Sequence, residues 1–335
     1  MLSLFKSNNP AVVIFYIFYL VLFRVCFAFV PVDSSFVFEH REPLSALLFG
    51  FLKNLPLNFQ ILSFVLSAVL CFIQALLING IANNNKILPK KNYLAGAIFI
   101  IFFSFFKESL VLTPASIALT FIILSTARLF SLIKKEKSYG DVFDVGFLVA
   151  LATLFYFPCV LFVLFAFIGL ATVRAFNYRE WVIVALGFFS PLLVVFTFYF
   201  WHDKATLLLA DMANLHPSGW LKGLTLDISD KVMVGGMACC TIACLTLLPS
   251  SLYSSLIQVR KFANMLVILV VLALAALVLQ QSVHLSHLVL LALPLGLIYS
   301  MVFMQIKRSL VSEVIHLILI LLVLAGQFLP LFNII

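Results

Sequence analysis

The chain has 335 residues, 64% hydrophobic and only 10% charged, with a formal net charge of +8 at pH 7. Soluble globular domains carry about a quarter charged residues, so a water-soluble fold is excluded and an integral membrane protein is implied. The sequence pI of about 9.2 arises from Lys and Arg placed between apolar segments, so it is no argument for nucleic-acid binding.

Eleven apolar runs follow one another: 11–30, 57–81, 93–106, 114–133, 142–156, 159–173, 181–201, 232–248, 262–279, 287–304 and 310–329. Crossing a roughly 30 Å hydrocarbon core takes about 20 residues, so 93–106, 142–156 and 159–173 are short and are expected as tilted helices among longer ones. The predicted fold is all-α, a polytopic membrane helix bundle of about eleven transmembrane helices forming one domain over 1–335.

The first run follows Lys6 and has no small-residue cleavage site behind it, which predicts a retained anchor. Arg24 lies inside it, about six residues or roughly 9 Å from its outer end. A charge at that depth is costly unless it is paired or snorkels; Arg24 therefore either reaches the headgroups or contacts a lipid phosphate or carboxylate facing the bundle. In the outer loop 31–56, Leu44, Leu47, Leu48, Phe51 and Leu52 recur at helical spacing and predict an amphipathic interfacial helix.

Pro158 divides 142–173 into a predicted helical hairpin, because proline removes a backbone donor and clashes with the preceding turn. Charge supports the break. With it, fourteen Lys and Arg fall in the cytoplasmic gaps and six in the outer ones; without it the split is eleven to nine. The positive-inside rule then predicts a cytoplasmic N-terminus and an outer C-terminus. Further on come an outer loop at 202–231, a small-residue stripe of Gly236, Cys240 and Cys244 that predicts a close helix contact, and the polar pair Glu313 and His316 in the last run.

There is no phosphate-cradling glycine loop, zinc helix or nucleophile elbow. Polar residues gather instead at the predicted outer ends: Asp33, Glu39, His40, Arg41 and Glu42 in the first loop, Lys107 and Glu108 in the second, and His284 with His287 one helical turn apart. Five of the six histidines fall on this side, yet neither a Cys/His pair nor a His/Glu helix motif accompanies them, so no metal site is assigned.

The segment from Gly146 to Leu154, the break at Pro158, the basic gap from Arg174 to Arg179 and a following run containing Pro191 resemble the central hairpin of the GT-C membrane glycosyltransferases. The run from His284 to Leu295, with its mid-helix Pro294, is similar to their late span. This resemblance covers most of the chain by order of elements. It implies a GT-C-like transferase using a polyprenyl-phosphate-linked sugar at the outer face. In that family an Asp or Glu of the first outer loop serves as base or metal ligand, which maps here to Asp33, with Glu39 second; a divalent metal is the only cofactor it admits. Basic residues hold the lipid phosphate, a role that falls to Arg24, Arg41, Lys107, His284 and His287. The chain departs from the family in lacking a tandem acidic pair and a soluble acceptor domain. Ala127 to Leu132, followed by Val142 to Phe147, is also similar to a family of polytopic inner-membrane proteins of Bacteroidetes, which implies a bacterial inner-membrane location. The partners implied are membrane lipids, polyprenyl phosphate among them, or an envelope protein complex. Two other classes stay open: a non-catalytic assembly subunit of such a complex, and a transporter of a lipid-linked substrate, which should show inverted repeats and polar midplane residues.

Overall fold

The computed structural model describes residues 2–25, 42–135, 138–206, 208, 210, 228–252, 255–279, 284–306 and 309–332. Among them there is no strand. The helices are α1 Leu2–Phe5, α2 Val13–Arg24, α3 Pro43–Lys53, α4 Phe59–Asn84, α5 Leu94–Phe103, α6 Pro114–Ser131, α7 Tyr139–Phe155, α8 Phe162–Val173, α9 Tyr178–Trp201, α10 Ile228–Leu252, α11 Ile257–Val278, α12 Ala292–Gln305 and α13 Ser309–Phe332. Each of the eleven apolar runs overlaps one of these helices over its described residues, three of them entered through a 3₁₀ turn: Pro10–Val12, Phe157–Leu161 and Leu285–Leu291.

Local chemistry sets the helix ends. The Asn58 and Asn177 side chains accept from the second backbone N–H of α4 and α9, and Thr113 with Ser116 forms a reciprocal capping box on α6, with Pro114 at its first position. Such caps satisfy donors that a helix start leaves open. Between α4 and α5 the asparagines work as a clamp: Asn83 and Asn92 exchange two hydrogen bonds, and Asn92 Oδ1 accepts from Leu94 N.

Contacts fix an alternating path. Asn84 O accepts from Lys134 Nζ, Arg128 and Lys135 pair with Asp141, and Arg174 pairs with Glu180 while its Nη2 donates to the Lys135 carbonyl. The end of α4, the end of α6, the start of α7, the end of α8 and the start of α9 therefore share one end of the bundle, the basic end. Tyr156, just past α7, stacks on His287 at the other end. The chain thus turns back between α7 and α8, at Tyr156 and Pro158, where the backbone leaves the helical region at φ −152° and ψ 103°.

The core is built around two helices. Every residue of α5 is buried, and so are Ala292 to Phe303 of α12; the two pack on each other, with Gly296 against the Phe99 backbone. A helix apolar all round has no face to give to water and belongs inside. Around this pair stand α2, α4, α10, α11 and α13, with α6 against the 3₁₀ turn that leads into α12. The exterior is apolar too: along α9, Phe189, Leu193, Val194, Phe198 and Trp201 are all exposed, a surface that suits lipid and not water.

α7 and α9 touch most closely. A Cβ on Gly146 would fall inside contact distance of Val184 O and Phe188 N, and one on Gly187 would meet Phe143 O. Pro191 cannot donate to the Gly187 carbonyl four residues back, and the Ser190 hydroxyl does so instead, at 3.0 Å. Gly236 of the small-residue stripe lies against Leu322 of α13, and the Cys240 carbonyl accepts from Tyr299 Oη of α12.

Two expectations need restating. Among the described residues seven helices are long and apolar enough to cross a membrane: Phe59–Asn84, Pro114–Lys134, Tyr178–Trp201, Asp230–Pro249, Ile257–Val278, Leu285–Gln305 and Leu310–Phe328. Pro10–Arg24, Pro43–Lys53, Leu94–Phe103 and Phe157–Val173 are shorter, so a count of eleven crossings is not supported; the run 93–106, for one, holds a helix of only ten residues. The outer-loop segment forms α3, in which Phe49 and Leu52 face the bundle, against Val111 and Leu112, while Leu47 and Phe51 point outward. It is therefore apolar on its exposed side as well as its buried one.

Candidate functional site

At the end opposite the ion-paired cluster, two 3₁₀ turns meet. One, Lys107–Leu110, links α5 to α6; the other, Leu285–Leu291, leads into α12. Because α5 and α12 are the buried centre, their connecting turns are drawn in with them, and that places charged side chains where sequence alone predicts an exposed loop.

Glu108 is the hub. Its Oε2 accepts from the Ser286 backbone N–H at 2.8 Å, an open donor at the start of the second 3₁₀ turn, where partial positive charge collects. Burial pushes the Glu108 carboxyl above the usual carboxylate range; the Ser286 bond, His284 and Lys107 pull it down, and Asp230 adds to the rise. Lys107 pairs with Asp230 of α10 at 3.7 Å. The His284 and His287 ring centroids are 6.1 Å apart, and His287 stacks on Tyr156 with centroids at 5.0 Å and planes 14° apart. The i, i+3 spacing brings both rings to one side, since a 3₁₀ helix has three residues per turn.

Arg24 joins this region from the side. Its side chain is buried, with Nη2 donating to Ser67 Oγ at 3.4 Å and Cζ 5.7 Å from the Phe64 ring centroid. Ser67 donates in turn to the carbonyl of Ser109, the residue after Glu108, at 3.0 Å.

Of the residues picked out by sequence, Lys107, His284 and His287 come together and Arg24 is linked to them through Ser67 and Ser109. Asp33, Glu39 and Arg41 lie outside the described residues. Arg24, near the last described residue before that stretch, and Glu42, the first after it, both stand at this end, Glu42 close to Cys159 beside the hairpin tip. Among the described residues no three His, Cys, Asp or Glu side chains form a set that could hold a metal ion. The partnership of Glu108 with Ser286, Asp230 as counter-ion of Lys107 and the Tyr156–His287 stack carry no sequence signal beyond polar residues at run ends.

His316 belongs elsewhere. Its Nε2 meets Tyr19 Oη at 2.8 Å, a helix–helix contact between α13 and α2.

No protein-family model matches the chain, and no curated protein matches it.

Proposed function

We propose that the chain is a multi-pass protein of a bacterial inner membrane, with a cytoplasmic N-terminus and an outer C-terminus, that acts on a phosphate-linked lipid where Lys107, Glu108, His284 and His287 converge. The reaction it suits is the GT-C type, in which a sugar moves from polyprenyl phosphate to an acceptor hydroxyl. The carrying observation is that convergence: a half-buried carboxylate, a lysine and two imidazoles collected at one end of the bundle.

The chemistry has simple requirements. The acceptor hydroxyl gives its proton to a carboxylate, its oxygen bonds to the anomeric carbon, and the bond from that carbon to the phosphate oxygen breaks. Arg24, Arg41 and Lys107 stabilise the departing phosphate, as cations aimed at developing negative charge do. Asp33 and Glu39 remain the first-loop candidates for the base. Glu108 joins them, since a carboxyl raised by burial is a stronger base than an exposed one. The concentration of Lys and Arg at the gaps following α4, α6 and α8 supports the orientation.

The test is direct. Purified protein is given short-chain isoprenyl-phosphate sugars, and mass spectrometry follows release of isoprenyl phosphate. Release that disappears in both Asp33→Asn and Glu108→Gln supports the reading. No release by well-folded protein across several sugars leaves the assembly-subunit role in its place.

A further inference from the structure

Between α2 and α4 runs a lateral groove of about 500 Å³, lined by Ile17, Leu20, Val21, Arg24, Phe64, Ala68 and their neighbours. That volume falls in the usual ligand-site range of roughly 300 to 1,000 Å³. On α2 the lining positions recur every three or four residues, so they form one stripe of the helix. The rim residues Ile17, Val21 and Val69 are 52%, 59% and 50% exposed. On a bundle with an apolar exterior, such a groove is filled from the hydrocarbon of the bilayer.

One end of the groove is different. Arg24 closes it in the last turn of α2, roughly 10 Å from Ile17 at 1.5 Å per residue, and is 7% exposed. Ser67 and the Phe64 ring hold the guanidinium in place, and the Ser67–Ser109 bond sets it beside the turn that carries Glu108. An apolar trough with a fixed guanidinium at its head has the charge pattern of an anionic lipid. Arginine's planar fork matches a phosphate through paired hydrogen bonds.

We infer that the α2–α4 groove binds a phosphate-bearing lipid of the bilayer, its hydrocarbon chain lying along Val21, Ala68 and Phe72 and its phosphate at Arg24. This rests on the phosphate-lipid half of the proposed function and not on sugar transfer: it locates the lipid and sets its phosphate next to the Glu108 turn.

The experiment uses the full chain purified in detergent, with bound lipid read by native mass spectrometry. The probes are phosphatidic acid, diacylglycerol with the same chains, and inorganic phosphate. Wild-type protein should retain phosphatidic acid roughly tenfold or more above diacylglycerol, the effect of one charge-assisted contact, and millimolar phosphate should not displace it. Arg24→Leu should bring phosphatidic acid down to the diacylglycerol level. Ala68→Trp, which fills the trough and leaves Arg24 in place, should lower retention of both lipids, and it keeps the test intact if Arg24→Leu does not fold. Equal retention of the two lipids by wild type, unchanged binding in Ala68→Trp, or displacement by inorganic phosphate overturns the assignment. Phosphatidic acid carries no sugar, so binding here without release in the transfer assay separates failure of the reaction from failure of the site.

Discussion

A single methyl group tests the packing that holds the hairpin, because the same substitution should have opposite signs at two glycines. Gly146→Ala aims its Cβ at Val184 O and Phe188 N. These are backbone atoms, which no rotamer change can move, so α7 and α9 must separate along their contact. Overpacking costs about 1–3 kcal/mol, and a backbone obstacle puts this case near 3. The Gly-to-Ala gain in helix propensity, about 1 kcal/mol, leaves a net loss of about 2. Gly80, inside α4, has nothing within 4 Å of its missing Cβ, so Gly80→Ala keeps only the gain. With an unfolding entropy of about 2.1 cal/mol/K per residue and 335 residues, Tm should fall by about 3 °C in the first variant and rise by about 1.5 °C in the second. Thermal unfolding in one detergent, followed by the monodisperse fraction on size exclusion, reads both. Gly146→Ala at or above Gly80→Ala would refute the close approach. Gly187→Ala should act like Gly146→Ala, and the double variant should lose less than the sum, since the first methyl already parts the helices.

Other outcomes follow from the two ends of the bundle. An alkaline phosphatase fusion at Phe157 should be active and one at Arg179 inactive, because the turn after α7 and the start of α9 lie at opposite ends; equal activity at both sites would refute the proposed orientation. Burial raises the Glu108 carboxyl above the usual carboxylate range, so the folded state binds the extra proton and stability falls as pH rises from the unfolded pKa through the folded one. Glu108→Gln, which can still accept from Ser286, should flatten that fall in a pH series of Tm values; an unchanged slope would assign the pH dependence to another group. Asp141 has the opposite sign. Lys135 and then Ser138 hold its carboxyl below 3.8, so its stabilisation is present above that value and is lost as pH falls through the folded pKa. Asp141→Asn should cost about 1 kcal/mol at pH 7 and nothing once the wild-type carboxyl is protonated, with thermal scans at both pH values as the check.

Much of the fold was legible because in a membrane protein hydrophobic length and charge placement are separate signals. Run positions gave every major helix, and Pro158 gave the turn at Tyr156. Lengths were less legible. The run 93–106 reads like a short crossing, but its helix is only ten residues, Leu94–Phe103, because Phe105 and Phe106 belong to the turn that carries Lys107 and Glu108 into the bundle. Apolar content cannot separate a helix facing lipid from one facing protein, which is why α9 and α5 look alike in sequence and sit at opposite extremes of burial.

The site was legible in one dimension. Counting Lys and Arg across gaps orders residues along the membrane normal, so Lys107, His284 and His287 could be put at one level with Arg24 a little below. That count has no angular coordinate around the bundle. Whether the α5–α6 turn faces the turn before α12 depends on α5 and α12 packing against each other, a contact between segments nearly 200 residues apart in the chain. The bond from Ser286 N to Glu108 follows from that packing, whereas the Lys107–Asp230 pair also needs α10 beside α12, and the link from Arg24 through Ser67 to Ser109 needs α2 beside α4. The groove beside Arg24 depends on the same α2–α4 contact, so a charge that sequence leaves between snorkelling and lipid contact becomes, in the fold, the polar end of an apolar trough.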